Sequence, residues 1–393
     1  MTILHVITRL ILGGAQQNTV MSCGAQVAAG HDVHLAYGPI HGPEGSLLEE
    51  AKASGATLHE INSLVRQVSP VRDWRCYWAI RRLVRELQPD IVHTHSSKAG
   101  IVGRAGAWAE RKKRSGTKPT RVIHTVHGLP FNDKQRWIIR EGYVGLEQMH
   151  ALQCDHLIAI TDAMVEAFAE KNIAPRDKFT VIPSGVEIDR FAGPALTSGA
   201  PGSTGCESGA GARPPTIGLV ARLDPLKGHR DLIAALPCIM QGVPHAKVVF
   251  VGDGFDREGI LSAIDASPHR DRIELKNLVP FDAMPAMYRE VDVCVLPSYQ
   301  EGQSRVLVEA LAAGCGVVAY DVGGIPEVCV HETTGLLVSV GDTQALGDEI
   351  VRMLTDHALR RRLVSQGQAH VHENFSAEKM NRELLELYER LLA

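Results

Sequence analysis

With 393 residues, 45% of them hydrophobic and 22% charged, the chain is too long for one ordinary core and has the composition of a soluble globular protein of two or three domains. Eight cysteines without a CxxC pair or zinc spacing argue against a disulfide framework and read as reduced core residues. The formal net charge of −4 is uneven: residues 1–190 hold 23 basic and 19 acidic side chains, and the span Arg66–Arg121 holds 14 basic and 4 acidic.

The first segment, Thr2-Ile3-Leu4-His5-Val6-Ile7, reads as a strand, without the charged start or cleavage site of a signal peptide. A Gly-rich turn and a helix from about Ala15 follow. Val33–Tyr37, Thr57–Ile61, Ile91–His93, Val122–Val126 and Leu157–Ile160 continue as strands, with helical patterns at Ser46–Ala53 and Arg75–Leu87 between them. No apolar stretch approaches the roughly 20 residues needed to span a bilayer, so any membrane contact is expected to be peripheral. The basic span Arg66–Arg121, with Arg81-Arg82, Arg85 and Arg111-Lys112-Lys113-Arg114, fits either a solvated helix face or a surface for anionic membrane or a lipid-diphosphate.

The stretch Gly193–Pro215, rich in Gly, Ser, Ala and Pro, is too poor in large apolar side chains to offset its ordering entropy and reads as a flexible linker. Strand signals resume at Thr216–Val220, Lys247–Val251, Arg272–Leu275, Val291–Leu296, Gly316–Tyr320 and Gly335–Val338, each followed by a turn and a helix-like stretch. The expected layout is an α/β fold of two Rossmann-like, doubly wound domains, 1–192 and 216–376, with a final helix over 377–393. Sheets of this kind bind ligands at the carboxyl ends of their strands, and the natural site of two such domains is a cleft between them.

Five constellations sit at such strand ends. Gly13 and Gly14 let backbone approach a ligand and open a helix whose start favours anions, or they simply make a tight turn. Gly252, in Val251-Gly252-Asp253-Gly254, belongs to half of a dinucleotide fingerprint whose third Gly is missing, because position 257 is Arg; a structural turn is the better reading. Arg222 and Lys227 flank a Pro-containing turn and suit a diphosphate, Arg as a planar fork and Lys as a point charge. In Glu301-Gly302-Gln303-Ser304-Arg305-Val306-Leu307-Val308-Glu309, a loop opens a helix. Its N–H groups can carry a phosphate, Glu301 sugar hydroxyls, and Glu309, two turns in, ribose hydroxyls. A hydrolytic carboxylate pair fits less well, since eight helical residues rise about 12 Å. His127 ends a strand and, neutral, can bond a hydroxyl or a carbonyl. His93 and His95 also end a strand, but no third residue stands at metal spacing.

Together, Gly13-Gly14-Ala15, His127-Gly128, Pro183-Ser184-Gly185-Val186, Arg222 with Lys227, Gly252-Asp253-Gly254, Gly323-Gly324-Ile325-Pro326-Glu327 and above all Glu301 with Glu309 before Ala310-Leu311-Ala312-Ala313-Gly314 make the chain resemble retaining glycosyltransferase family 4, of GT-B fold. The resemblance implies a cytoplasmic, metal-independent enzyme with no resident cofactor. It would transfer sugar from a nucleotide diphosphate donor, UDP-linked by preference, to a glycan or lipid-diphosphate acceptor in polysaccharide synthesis. It implies that Arg222 and Lys227 neutralise the leaving diphosphate and that Glu301, Gly302, Gln303 and Ser304 hold sugar and phosphate. Glu309 would bind ribose, and His127 and Gly14 would face sugar and phosphate. It also implies that the last helix crosses back onto the first domain. The segment His95-Ser96-Ser97-Lys98-Ala99-Gly100-Ile101 is similar to members that extend lipid-linked glycans. Ser184, Glu187 and Cys315-Gly316 depart from the family's usual Asn, Asp and x-Pro. Alternatives on the same architecture are a nucleotide-sugar epimerase or hydrolase, and a silent binding module; four intact charged site residues argue against the module.

Overall fold

The computed structural model describes residues 1–40, 45–111, 119–131, 135–192 and 213–393. These divide into two compact units, Met1–Gly185 with Ala377–Ala393, and Val186–Ser376.

The first unit is built on seven parallel strands: β1 (Thr2–Arg9), β2 (Asp32–Gly38), β3 (Thr57–Glu60), β4 (Ile91–His95), β5 (Arg121–Val126), β6 (His156–Ala159) and β7 (Phe179–Val181), in the order β3-β2-β1-β4-β5-β6-β7. Six consecutive residues of β1 are buried, as befits a parallel strand covered on both faces. On one face Leu4, Val6, Val92 and Val122 pack beneath the helices Pro70–Leu87 and Ser97–Arg111. On the other, Ile3, Ile91, Ile123 and Ile158 meet Met380, Leu384, Leu387 and Tyr388 of the terminal helix Ala377–Leu392. That apolar stripe is why the last helix belongs to this unit. The edge strand β7, three half-buried residues, has too weak a pattern to be anticipated from sequence.

The second unit holds β8 (Thr216–Val220), β9 (Lys247–Val251), β10 (Ile273–Lys276), β11 (Val293–Leu296), β12 (Gly316–Tyr320) and β13 (Leu336–Val338), all parallel in the order β10-β9-β8-β11-β12-β13. One apolar cluster lies on each face of its sheet. In both units the strand order reverses beside the first strand, between β1 and β4 and between β8 and β11. The crevice at the carboxyl ends of those pairs is where doubly wound sheets take their ligands.

One expectation is corrected here. The boundary lies at Gly185, not Ala192, because Val186, Ile188 and Phe191 pack with Tyr288, Leu307 and Val308 of the second unit. Composition had marked where apolar residues run out, not where packing changes partner. Of the expected linker, residues 193–212 lie outside the described residues, and Arg213 is tied down by a fork to Asp292 at 2.7 and 3.0 Å.

The basic span is not simply an exposed face. Arg81 and Arg85 share Glu110, Lys98 pairs with Asp73, Arg111 with Asp155, and the fully buried Arg104 with Glu147 at 2.8 Å. Much of the positive excess therefore joins one helix to the next, leaving Arg66, Arg72, Arg75 and Arg82 exposed. Lys112, Lys113 and Arg114 lie outside the described residues.

Candidate active site

In the second unit three strand-end loops are locked together at the switch point. Gly252 follows β9 with φ of +145°, and a Cβ there would stand 2.0 Å from the Ala221 carbonyl oxygen after β8. Gly228, at φ +68°, would bring a Cβ within 1.9 Å of the Pro297 carbonyl oxygen after β11. Only glycine allows both approaches. Backbone bonds from Leu223 to Asp253 (3.1 Å) and from Tyr299 to Leu226 (2.8 Å) close the same seams. The hydroxyls of Tyr299 and Tyr320 both donate to Asp231 Oδ2, at 2.8 and 2.7 Å, fixing the ends of β11 and β12 to the helix His229–Gly242.

This frame brings Lys227 and Glu301 together, Nζ to Oε1 at 2.6 Å, both largely buried. Arg222, at the end of β8, is exposed and among the described residues forms no hydrogen bond or ion pair. One cation is thus held by a carboxylate while its neighbour is available to an anion.

The loop Glu301–Ser304 leads into the helix Arg305–Ala312, which Ser304 caps, its hydroxyl accepting from the Leu307 N–H at 3.3 Å. Ser304 is therefore committed to the helix, and one of the helix's initial N–H groups is already satisfied. Gln303 is buried and Gly302 half-buried beside it.

Glu309 stands little more than one turn into this helix, not two. It is buried, accepts from the Tyr288 hydroxyl at 3.2 Å and lies 3.9 Å from Arg305. Burial raises its carboxyl above the usual range, against the pull of Arg305. Glu301 and Glu309 each have separate partners, Lys227 for the first and Tyr288 with Arg305 for the second. Sequence reasoning passed over His229, which directly follows Gly228. It is buried edge-on to Phe250, its ring nitrogens have no hydrogen-bond partner among the described residues, and burial pushes its pKa down to about 4.

In the first unit Gly13 caps the helix Gly14–Ala28 in an extended conformation that any residue can adopt (φ −176°), so neither dihedral strain nor a side-chain cap explains this glycine. His127 follows β5 and lines a hollow of about 290 Å³ with Ala15, Ser96, Ser97 and Gly128. The helix start and the ends of β4 and β5 thus meet at this unit's own switch point.

Beneath His127 runs a row of histidines. Because β1, β4 and β5 are parallel and in register, His5 pairs with His93 and His95 with Thr125, and alternate residues share a face. His5, His93 and His95 consequently cluster, with ligand-capable nitrogens within 4.8 Å of one another. This corrects the expectation that His93 and His95 lack a third partner, since His5 is supplied by another strand and invisible to local spacing. Each of these ring nitrogens is already engaged. His5 bonds Gln26 (2.8 Å) and His95 (2.9 Å), His95 also His127 (3.0 Å), and His93 Tyr388 and Thr125. Burial holds all three imidazoles well below their usual pKa, His5 at about 4.

Two doubly wound parallel sheets are the architecture of the GT-B class of glycosyltransferases. The chain matches the models described as Glycosyltransferase Family 4, over residues 12–190, and Glycosyl transferases group 1, over residues 214–356. With a Family 4 domain followed by a group 1 domain, it is a glycosyltransferase. It is 28% identical over 313 residues, 76% of this chain and 75% of the relative, to UDP-Gal:alpha-D-GlcNAc-diphosphoundecaprenol alpha-1,3-galactosyltransferase of Escherichia coli. In fold it is similar to sucrose-phosphate synthase of Thermosynechococcus elongatus (TM-score 0.78, 22% identity, covering 100% and 99% of the two chains). It is equally similar to Anabaena Alr3699/HepE in complex with UDP (TM-score 0.78, 19% identity, covering 99% and 100%).

Proposed function

We propose that this chain is a retaining, metal-independent transferase that moves a sugar from a UDP-sugar to a lipid-diphosphate-linked glycan acceptor. The observation that carries the reading is the Lys227–Glu301 pair beside the unpaired Arg222 at the switch point of the second sheet.

In this reading the diphosphate of the donor lies against Arg222 and Lys227, whose charges stabilise the negative charge that grows as the anomeric C–O bond breaks. Arrival of the phosphate draws Lys227 from Glu301, and the freed carboxylate accepts from sugar hydroxyls. N–H groups at the start of Arg305–Ala312 other than the capped one support the phosphate, and Glu309 holds the ribose. Gly252 keeps the β9 loop clear of the nucleotide, and His127 takes a polar group of the transferred sugar. An oxocarbenium-like ion pair, with the leaving phosphate accepting the proton of the acceptor hydroxyl on the same face, retains configuration and needs no protein base. Positioning and charge are then the protein's contribution.

The lipid-linked acceptor is supported by the relative that acts on a diphosphoundecaprenol substrate and by the helix Trp137–Ala151. That helix exposes Trp137, Ile138, Ile139, Leu146 and Met149, an apolar strip suited to the interface of the cytoplasmic leaflet. Among the described residues no helix is long and apolar enough to cross a membrane.

The test is incubation of the pure protein with UDP-sugars and a polyprenyl-diphosphate-linked saccharide, with and without EDTA. A lengthened glycan of unchanged anomeric configuration, formed equally with chelator, is the expected product. Release of free or epimerised sugar without a conjugate would overturn the reading, and an EDTA loss restored by magnesium would overturn its metal independence.

A further inference from the structure

The row of buried histidines in the first unit is a one-way chain of hydrogen bonds. Its inner end is the Gln26 carbonyl oxygen, which can only accept, so His5 carries its proton on Nε2. A neutral His5 then has a bare Nδ1, and the 2.9 Å contact there must be filled by a proton on His95 Nε2. The same logic leaves His95 Nδ1 bare and puts the proton of the 3.0 Å contact on His127 Nε2. Burial keeps His5 and His95 neutral, and each nitrogen–nitrogen contact holds one proton. The direction of every proton therefore follows from the first.

We propose that Gln26, His5 and His95 are positioning residues that fix His127 as its Nε2–H tautomer and turn its Nδ1 into an acceptor. The consequence for recognition rests on the transferase reading above. At Nδ1, which the fold encloses, such a His127 can accept from a hydroxyl or an amide N–H and cannot donate to a carbonyl. The order is set by the sheet: β1 contributes His5, β4 contributes His95, His127 follows β5, and Gln26 descends from the helix Gly14–Ala28.

A bound cation is the competing explanation of clustered histidines. Two imidazole nitrogens on a tetrahedral zinc at about 2.0–2.1 Å stand roughly 3.3 Å apart. The His5–His95 and His95–His127 contacts, at 2.9 and 3.0 Å, are hydrogen-bond distances.

The test uses the full chain labelled with ¹⁵N-histidine, without ligand. Long-range proton–nitrogen correlation assigns the tautomer of His5, His95 and His127, with single His→Gln variants identifying the signals. The expected result is three Nε2–H rings and less than a tenth of an equivalent of zinc, copper or nickel in protein purified without chelator. Gln26→Leu is expected to let the His127 signal move toward the average of two tautomers. Gln26→Glu, which keeps an acceptor, is expected to restore it. In transfer assays Gln26→Leu is expected to lower kcat about three- to tenfold with the donor KM unchanged. An Nδ1–H His127 in the wild-type chain, the outcome if the Gln26 amide were turned over, would overturn the proposal. So would a stoichiometric metal, or a His127 tautomer indifferent to Gln26→Leu. The tautomers are read without substrate, so a chain that shows them but transfers no sugar refutes the transferase reading and leaves the relay standing.

Discussion

The Lys227 ammonium lies 2.6 Å from the Glu301 carboxylate across two loops that close sequence neighbours could not join. The contact sets one positive charge against one negative. Lys227→Ala or Glu301→Gln is expected to lower kcat/KM for transfer about a hundredfold, the usual scale for removing one preorganised electrostatic contact. Neither partner is fully buried, so stability should fall by only about 1–2 kcal/mol. Steady-state kinetics and urea titration check both parts, and wild-type turnover in either variant would refute the assignment.

Arg104 and Glu147 form the most enclosed ion pair among the described residues, and Arg104 Nη1 has no further partner there. Glu147→Gln leaves a buried guanidinium without its counter-charge, and a loss of about 3–5 kcal/mol is expected. Arg104→Met with Glu147→Leu should recover most of it. All four tryptophans, Trp74, Trp78, Trp108 and Trp137, lie in the first unit. Their fluorescence during urea unfolding therefore reports on the unit that holds this pair.

The neutral histidine row gives the first unit a pH dependence of definite sign. His5, held at about 4, stays neutral in the native unit while the unfolded chain takes up a proton below about 6.5. The stability it contributes is complete above that value and is lost as pH falls toward 4. Each such histidine adds about 1.4 kcal/mol per pH unit to the slope. His93, His95 and His124 are shifted in the same direction, also mainly by burial. Tryptophan-monitored urea titrations between pH 7.5 and 5 should show the midpoint falling steeply, and less steeply in His5→Gln. A flat midpoint would contradict neutral histidines.

The exposed strip on the helix Trp137–Ala151 is expected to bind vesicles. Trp137→Ser with Ile138→Ser and Ile139→Ser should reduce flotation with anionic liposomes about tenfold or more, while UDP binding, measured by calorimetry, stays unchanged. Equal flotation of the variant and parent would remove this helix as the membrane contact.

Much of this was legible in the sequence because it is local. Alternation of short apolar runs with helical patterns is a property of neighbouring residues, and so are glycines at strand ends and the spacing from Glu301 to Glu309. The strand series, the α/β class and the loops carrying Arg222, Lys227 and Glu301 follow from that alone. The three-residue β7 did not, since its half-buried residues lack a pattern. Ser304 could be read as a helix start, but whether its hydroxyl served the helix or a ligand depended on a rotamer. A strand such as Ile3-Leu4-His5-Val6-Ile7 does hold a signal, a histidine amid apolar residues, that points to a buried partner without naming it.

The sequence by itself determined which segments become strands, β7 apart, and which charged groups stand near their ends. Hydrophobic periodicity and turn chemistry act over a few residues and need no distant partner. Tertiary structure alone decided that Lys227 meets Glu301, that five basic residues of Arg66–Arg121 serve as internal ion pairs, and that His5, His95 and His127 line up. It also decided that the first unit's long segment ends at Gly185. Those outcomes depend on strand order and register, and parallel pairing brings together residues tens to hundreds of positions apart with no trace of the meeting in either local pattern.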